Sequence, residues 1–177
     1  GTYASCIGPD RIFVFSGDKD NYQLIDDKTK VLYPMTGSEM QIVDRESFEK
    51  KYGIKVEQFV DMKALMGDGG DNVKGIEKCG EKTAAKWLNT YGSLEEILLN
   101  AGEIAGKIGE NLRAWAPIAY KTRELVQIAR TVEVPYTYED LEINLKWENA
   151  EEIFKDLEFN SYIKKARQGG FYNVATW

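Results

Sequence analysis

Apolar and polar positions follow two regimes along this chain. Ahead of Asp44 the apolar residues come in short blocks: Arg11-Ile12-Phe13-Val14-Phe15-Ser16 is β-branched and aromatic, set between Gly8-Pro9 and Gly17-Asp18. Such a run predicts a strand buried on both faces within a parallel sheet. Val31-Leu32-Tyr33 is a weaker strand between the Asp26-Asp27 turn and Pro34, and Met40 to Val43 is placed to pair with it. Beyond Asp44 the period changes. Phe48, Tyr52, Val56, Phe59, Val60, Ala64 and Leu65, with Lys63 in the same series, recur at helical spacing and predict two helices broken at Gly53. Glu81 to Tyr91 follows Gly80 and stops at Gly92, and Ser93 with Glu96 three residues on forms a capping box for the next helix. Further helices are expected from Glu103 to about Ala114 and from Pro117 to Arg130, then an extended stretch from Val132 to Tyr138. An amphipathic pair, Ala150 to Leu157 and Ser161 to Arg167, precedes Gly169-Gly170 and a loose tail. There is no internal repeat.

Composition narrows the chemistry. At 177 residues and 43% hydrophobic the chain can bury one ordinary core and a small second lobe. Lys plus Arg number 23 against 29 Asp plus Glu, a net charge of -6, so a uniformly basic coat is excluded while a local basic patch is not. Histidine is absent, which excludes a catalytic triad, a His general base and His-ligated zinc or haem iron. Carboxylates are left to carry the chemistry. Two cysteines, Cys6 and Cys79, are too few for a disulfide framework, no signal peptide is visible, and no apolar run approaches the roughly 20 residues that cross a bilayer. These features predict a reduced, cytoplasmic protein with no membrane partner. The opening Gly1-Thr2-Tyr3-Ala4-Ser5-Cys6 has no Met and reads as the end of a helix already under way, so the numbering is expected to start inside a longer gene product.

Three constellations carry candidate chemistry. Ser16-Gly17-Asp18-Lys19-Asp20 directly follows the first strand, at the carboxyl end where α/β sheets collect ligands. The plainer reading is an N-capping Asp at a strand-to-helix connection. Gly67-Asp68-Gly69-Gly70-Asp71-Asn72 sets two carboxylates three residues apart on a glycine-rich turn that could converge on a hard cation, Mg²⁺ or Mn²⁺; a polar interhelical turn is the alternative. A calcium loop does not fit, since Val73 and Cys79 stand where its Gly and Glu belong. In Val73 to Lys86 two glycines, Gly75 and Gly80, flank a short hairpin, and the second opens a helix whose N–H groups can hold phosphate. Lys74, Lys78, Lys82 and Lys86 recur every four residues there, which favours a DNA-backbone clamp over a solvated lysine stripe.

In order and spacing, Ser-Gly-Asp-Lys-Asp, Gly-Asp-Gly-Gly-Asp-Asn-Val, Gly-Glu-Lys-Thr-Ala-Ala-Lys and Tyr-Gly-Ser-Leu-Glu-Glu-Ile resemble the 5′ nuclease family. That family includes the 5′–3′ exonuclease domain of bacterial DNA polymerase I and the phage flap endonucleases; Leu157 to Tyr162 also resembles the end of the polymerase I nuclease domain. The resemblance covers most of Ile12 to Lys165. It implies an α/β fold: residues 1–44 as the remnant of a parallel-sheet nuclease core, incomplete in this chain, and 45–167 as a mostly helical region. A helix-three-turn-helix DNA-binding motif would occupy about 61–91, and 168–177 would be a tail. It implies hydrolysis of DNA phosphodiesters at 5′ flaps or 5′ ends in replication or repair, with Asp18, Asp20, Asp68 and Asp71 as metal-ligating catalytic residues. Lys74, Gly75, Lys78, Gly80, Lys82, Thr83 and Lys86 would contact DNA, and a K⁺ ion would sit on backbone carbonyls of the motif. The family's first-strand Asp, helical arch and acidic helix segment have no counterpart in this chain. The resemblance therefore implies the C-terminal portion of the nuclease, with a missing N-terminal half and an attached polymerase as partners. A non-catalytic DNA-binding module derived from such a nuclease is the alternative.

Overall fold

The computed structural model describes residues 11–36, 39–137, 139–141 and 147–167. The opening stretch and Cys6, Tyr138 and the tail beyond Arg167 lie outside them. The chain divides into two compact units, Gly1–Val134 and Pro135–Trp177.

In the first unit, β1 (Ile12–Phe15) pairs in parallel with β2 (Thr29–Pro34), and β2 pairs antiparallel with β3 (Met40–Val43), giving a mixed sheet in the order β1-β2-β3. The expected pairing of β2 with β3 holds in register, Val31 opposite Val43 and Leu32 opposite Ile42. Alternation sends Ile12, Val31 and Val43 into the core. The other face stays open: Phe13 is 41% and Phe15 63% exposed, with Met40 and Ile42 exposed beside them. Burial of β1 on both faces is therefore corrected, because the described residues lay nothing over that side.

A 3₁₀ helix, Lys19–Leu24, links β1 to β2, and α1 (Arg45–Tyr52) follows β3. Asp44 starts α1 with a reciprocal capping box to Ser47, and Gly53, left-handed at φ 67°, stops it as predicted. Tyr22, Phe48, Tyr52 and Phe59 then pack ring on ring at centroid distances of 4.7–6.2 Å. That cluster anchors the 3₁₀ helix to α2 (Phe59–Met66), whose Met62, Ala64 and Leu65 are buried. A short hairpin, β4 (Gly67–Asp68) and β5 (Val73–Lys74), leads to α3 (Glu81–Tyr91) and α4 (Leu94–Leu99). Ser93 accepts the Glu96 N–H at the start of α4. Buried Asp61 of α2 accepts the Leu94 N–H at 2.9 Å and faces Arg123 Nε at 3.1 Å, tying three helices together.

Two helices end differently from their apolar periods. α5 runs Gly106–Trp115 rather than from Glu103, with Gly106 itself left-handed at φ 74°. After a 3₁₀ turn at Ala116–Ile118, α6 covers Ala119–Val126 and stops short of Arg130. Gln23, 5% exposed, causes the early stop: its Nε2 donates to the Val126 carbonyl at 2.8 Å and its Oε1 accepts the Ile128 N–H at 3.1 Å. Residues 131–137 have no regular structure. The second unit holds α7 (Trp147–Asp156) and α8 (Asn160–Arg167), where Phe154, Phe159 and Tyr162 stack together and Glu151 binds Lys155 and Arg167. Among the described residues no helix is long and apolar enough to cross a membrane.

Candidate metal centre

The glycine-rich turn is shaped by backbone packed on backbone. A Cβ on Gly75 would lie 2.1 Å from the Met66 carbonyl carbon and 2.2 Å from the Gly67 nitrogen, and one on Gly67 would lie 2.3 Å from the Gly75 nitrogen. The two glycines interlock, closing the β4–β5 hairpin and presenting Asp68 from the end of β4 and Asp71 from the four-residue loop, whose Asn72 is left-handed at φ 56°. Gly75, which the sequence places among DNA contacts, thus has its own reason inside the protein.

Asp68 is oriented by its own loop. Its Oδ1 accepts the Gly70 N–H at 2.9 Å, while its Oδ2 accepts from Lys63 Nζ at 2.7 Å. Lys63, on α2, also donates to Asp20 Oδ1 and is only 14% exposed. The Lys63 ammonium holds the Asp68 carboxyl below the usual carboxylate range, assisted by the Gly70 and Asp71 N–H groups.

Asp20, Asp68 and Asp71 each bring an oxygen into one group spanning no more than 4.8 Å. Oxygens around one octahedral Mg²⁺ at about 2.1 Å lie about 3 to 4.2 Å apart, so small side-chain rotations would close these three on an ion. All the donors are carboxylate oxygens, which suits a hard divalent cation. Asp18 stands apart from this group. Its Oδ1 accepts the Asp20 N–H at 2.9 Å, capping the 3₁₀ helix, although it lines the same cleft of about 410 Å³. Tyr33, Tyr52 and Phe59 also line that cleft, where burial pushes the Tyr52 hydroxyl up to about 12.

The hairpin and helix beyond are held from behind. Trp115 Nε1 donates to the Lys74 carbonyl at 3.1 Å and Asn111 Nδ2 to the Glu77 carbonyl at 2.9 Å, both from α5. Ile76 and Cys79 turn inward, and burial pushes the Cys79 thiol up to about 11, as expected of a spectator. Lys74, Lys78, Lys82 and Lys86 are exposed and Thr83 half-buried; Lys78 is left-handed at φ 67°. Gly80 precedes α3 with no side-chain cap, and a Cβ there would meet nothing within 4 Å. Glu81, the first residue of α3, lines the carboxylate cleft. Lys63 and Glu81 are the members of the site that sequence reading missed; for Lys63 the available signal was a charge, alongside Asp61, inside the otherwise apolar stretch Val60 to Met66.

A mixed sheet followed by helices, with three carboxylates gathered where the two meet, defines an α/β protein with a candidate metal centre. Residues 54–149 match the family described as 5′-3′ exonuclease, C-terminal SAM fold, and the chain belongs to that 5′ nuclease family. It is 40% identical over 152 residues to DNA polymerase I of Mycobacterium tuberculosis, covering 84% of this chain and 17% of that protein. It is 37% identical over 170 residues to DNA polymerase I of Bacillus subtilis, covering 93% of this chain and 19% of that one. The chain thus spans about a fifth of the length of these relatives. Among solved structures it resembles the bacteriophage T5 D15 flap endonuclease in a pseudo-enzyme-product complex with DNA and metal ions, with TM-score 0.60, 27% identity, and 66% of this chain and 43% of that one covered. T5 5′-exonuclease with bound zinc ions gives TM-score 0.59 at 28% identity, covering 66% and 43%.

Proposed function

We propose that this chain is the C-terminal part of a structure-specific 5′ nuclease that hydrolyses DNA phosphodiesters at 5′ flaps or 5′ ends. Its setting would be replication or repair in the cytoplasm of a bacterial or phage-infected cell, with an attached polymerase as in the relatives. The convergence of Asp20, Asp68 and Asp71 carries the reading. Mg²⁺ or Mn²⁺ bound there would lower the pKa of a water and stabilise the leaving oxygen. Asp18, on the rim of the same cleft, would reach the ion through water.

The grip is assigned to a helix-three-turn-helix over about 61–91, with K⁺ on its backbone carbonyls. Gly80 supports this, since a Cβ there would meet none of the described residues within 4 Å and the bare start of α3 leaves N–H groups open to a phosphate. Lys74, Lys78, Lys82, Thr83 and Lys86 would complete a sequence-independent contact. The open face of Phe13, Phe15, Met40 and Ile42 is where the remainder of the nuclease core would pack.

Fluorescence anisotropy with a duplex carrying a 5′ flap, at several salt concentrations, tests the grip. The chain is expected to bind flap duplexes of unrelated sequence equally, and Lys82→Glu to weaken binding and reduce the log-log salt slope by about 0.9. Normal binding by Lys82→Glu would remove the assignment of Val73 to Lys86 as the DNA clamp.

A further inference from the structure

Lys63 occupies an unusual position for a lysine. It lies on α2 among buried neighbours, its side chain is 14% exposed, and its ammonium touches carboxylates from two different elements, Asp68 Oδ2 at 2.7 Å and Asp20 Oδ1. Burying an ammonium is costly unless opposite charge compensates it, and these two carboxylates supply that charge. The reverse holds as well: Asp20 and Asp68 would repel each other across the cleft without a cation between them. An ammonium has no lone pair, so it cannot join them as a metal ligand. A divalent ion held by the same two oxygens would sit within a few ångströms of Nζ, at a distance where like charges in a shielded cleft repel strongly.

We infer that Lys63 is a built-in counter-ion of the carboxylate cluster, holding Asp20 and Asp68 in place when no metal is bound and competing with the divalent ion for the same oxygens. Metal entry then requires the ammonium to release both carboxylates. Its long stem permits this without movement of α2. The affinity of the cluster for metal is accordingly set low by the protein itself, and the site keeps its shape between metal-binding events. This inference rests on the metal-site reading of Asp20, Asp68 and Asp71.

Titration of this chain with Mn²⁺, followed by calorimetry and by the loss of the free-ion electron paramagnetic resonance signal, tests it. Lys63→Met, similar in length but uncharged, is expected to bind Mn²⁺ at least about tenfold more tightly than the parent chain, while Lys63→Arg does not. The metal-free Lys63→Met protein should melt below the parent, and Mn²⁺ should raise its melting temperature more. Lys63→Gln serves the same purpose if the Met variant does not fold. Unchanged or weaker Mn²⁺ binding by the neutral variants, in a protein whose parent binds Mn²⁺ and whose Asp68→Asn variant does not, overturns the counter-ion role and leaves the metal site standing. Absence of Mn²⁺ binding in the parent and in all Lys63 variants overturns both.

Discussion

The two acidic turns of this protein begin alike and end differently. In each, the first aspartate accepts a backbone N–H two residues on, Asp18 from Asp20 and Asp68 from Gly70, both at 2.9 Å. That local bond is the ordinary habit of Asp in turns and carries no functional information. The difference lies in what flanks each turn. Asp68 has a second oxygen turned to Lys63 and a loop locked by two glycines in backbone contact, whereas the Asp18 turn is followed by a 3₁₀ helix resting on aromatic rings. A carboxylate becomes part of a cluster through what another element supplies, and the turn's own hydrogen bond alone does not decide it.

The sharpest way to break this comparison is at the glycines. Gly75→Ala would drive a methyl into the backbone of Met66 and Gly67, and should cost about 3 kcal/mol or more in urea denaturation. Gly17→Ala, at the start of the other turn, meets only Pro34 Cγ at 3.5 Å and should change stability by less than about 0.5 kcal/mol. Equal costs would mean the interlock of Gly67 and Gly75 is not what holds the second turn.

The carboxylates come next. Asp71→Asn should abolish the rise in melting temperature that millimolar Mn²⁺ produces, and Asp18→Asn should retain most of it, since Asp18 lies outside the group of three. A loss of the rise in Asp18→Asn equal to that in Asp71→Asn would place Asp18 among the direct ligands. In the metal-free protein, Asp18→Ala should cost about 1 kcal/mol as a lost cap, measured by thermal melting.

The smallest effect is on pH dependence. Lys63 holds Asp68 below its ordinary value, so this carboxylate stabilises the fold fully above about pH 4 and loses that contribution as pH falls through its depressed folded value. Asp68→Asn should therefore flatten the acid limb of stability against pH. A limb as steep as the parent's would show that other carboxylates produce it.

Local rules made much of the fold legible. Glycine stops at Gly53 and Gly92, the Ser93 cap and the apolar period of α2 are sequence-local signals, and each appears in the structure. What was not legible depends on distant partners. The early end of α6 follows from Gln23, the exposure of Phe13 and Phe15 from the lack of any described residue over that face of the sheet, and the start of α5 from a left-handed Gly106. At the site, Asp68 and Asp71 could be read from their spacing, but Lys63 counted only as one more position on a helix. Its meaning lay in Asp20, 43 residues away along the chain.

The clasp made by Gln23 also bears on how the first unit reaches its final form. A buried amide near the beginning meets both its partners only at Val126 and Ile128, 103 and 105 residues later. Joining ends so far apart is entropically late in any folding sequence, because the intervening chain must be largely ordered first. During synthesis the 3₁₀ helix bearing Asp20 therefore cannot complete its packing until the ribosome has released residue 128. The residues that line the acidic cleft all precede α6, the latest being Glu81, yet the 3₁₀ helix that carries Asp20 is clasped only once α6 has emerged.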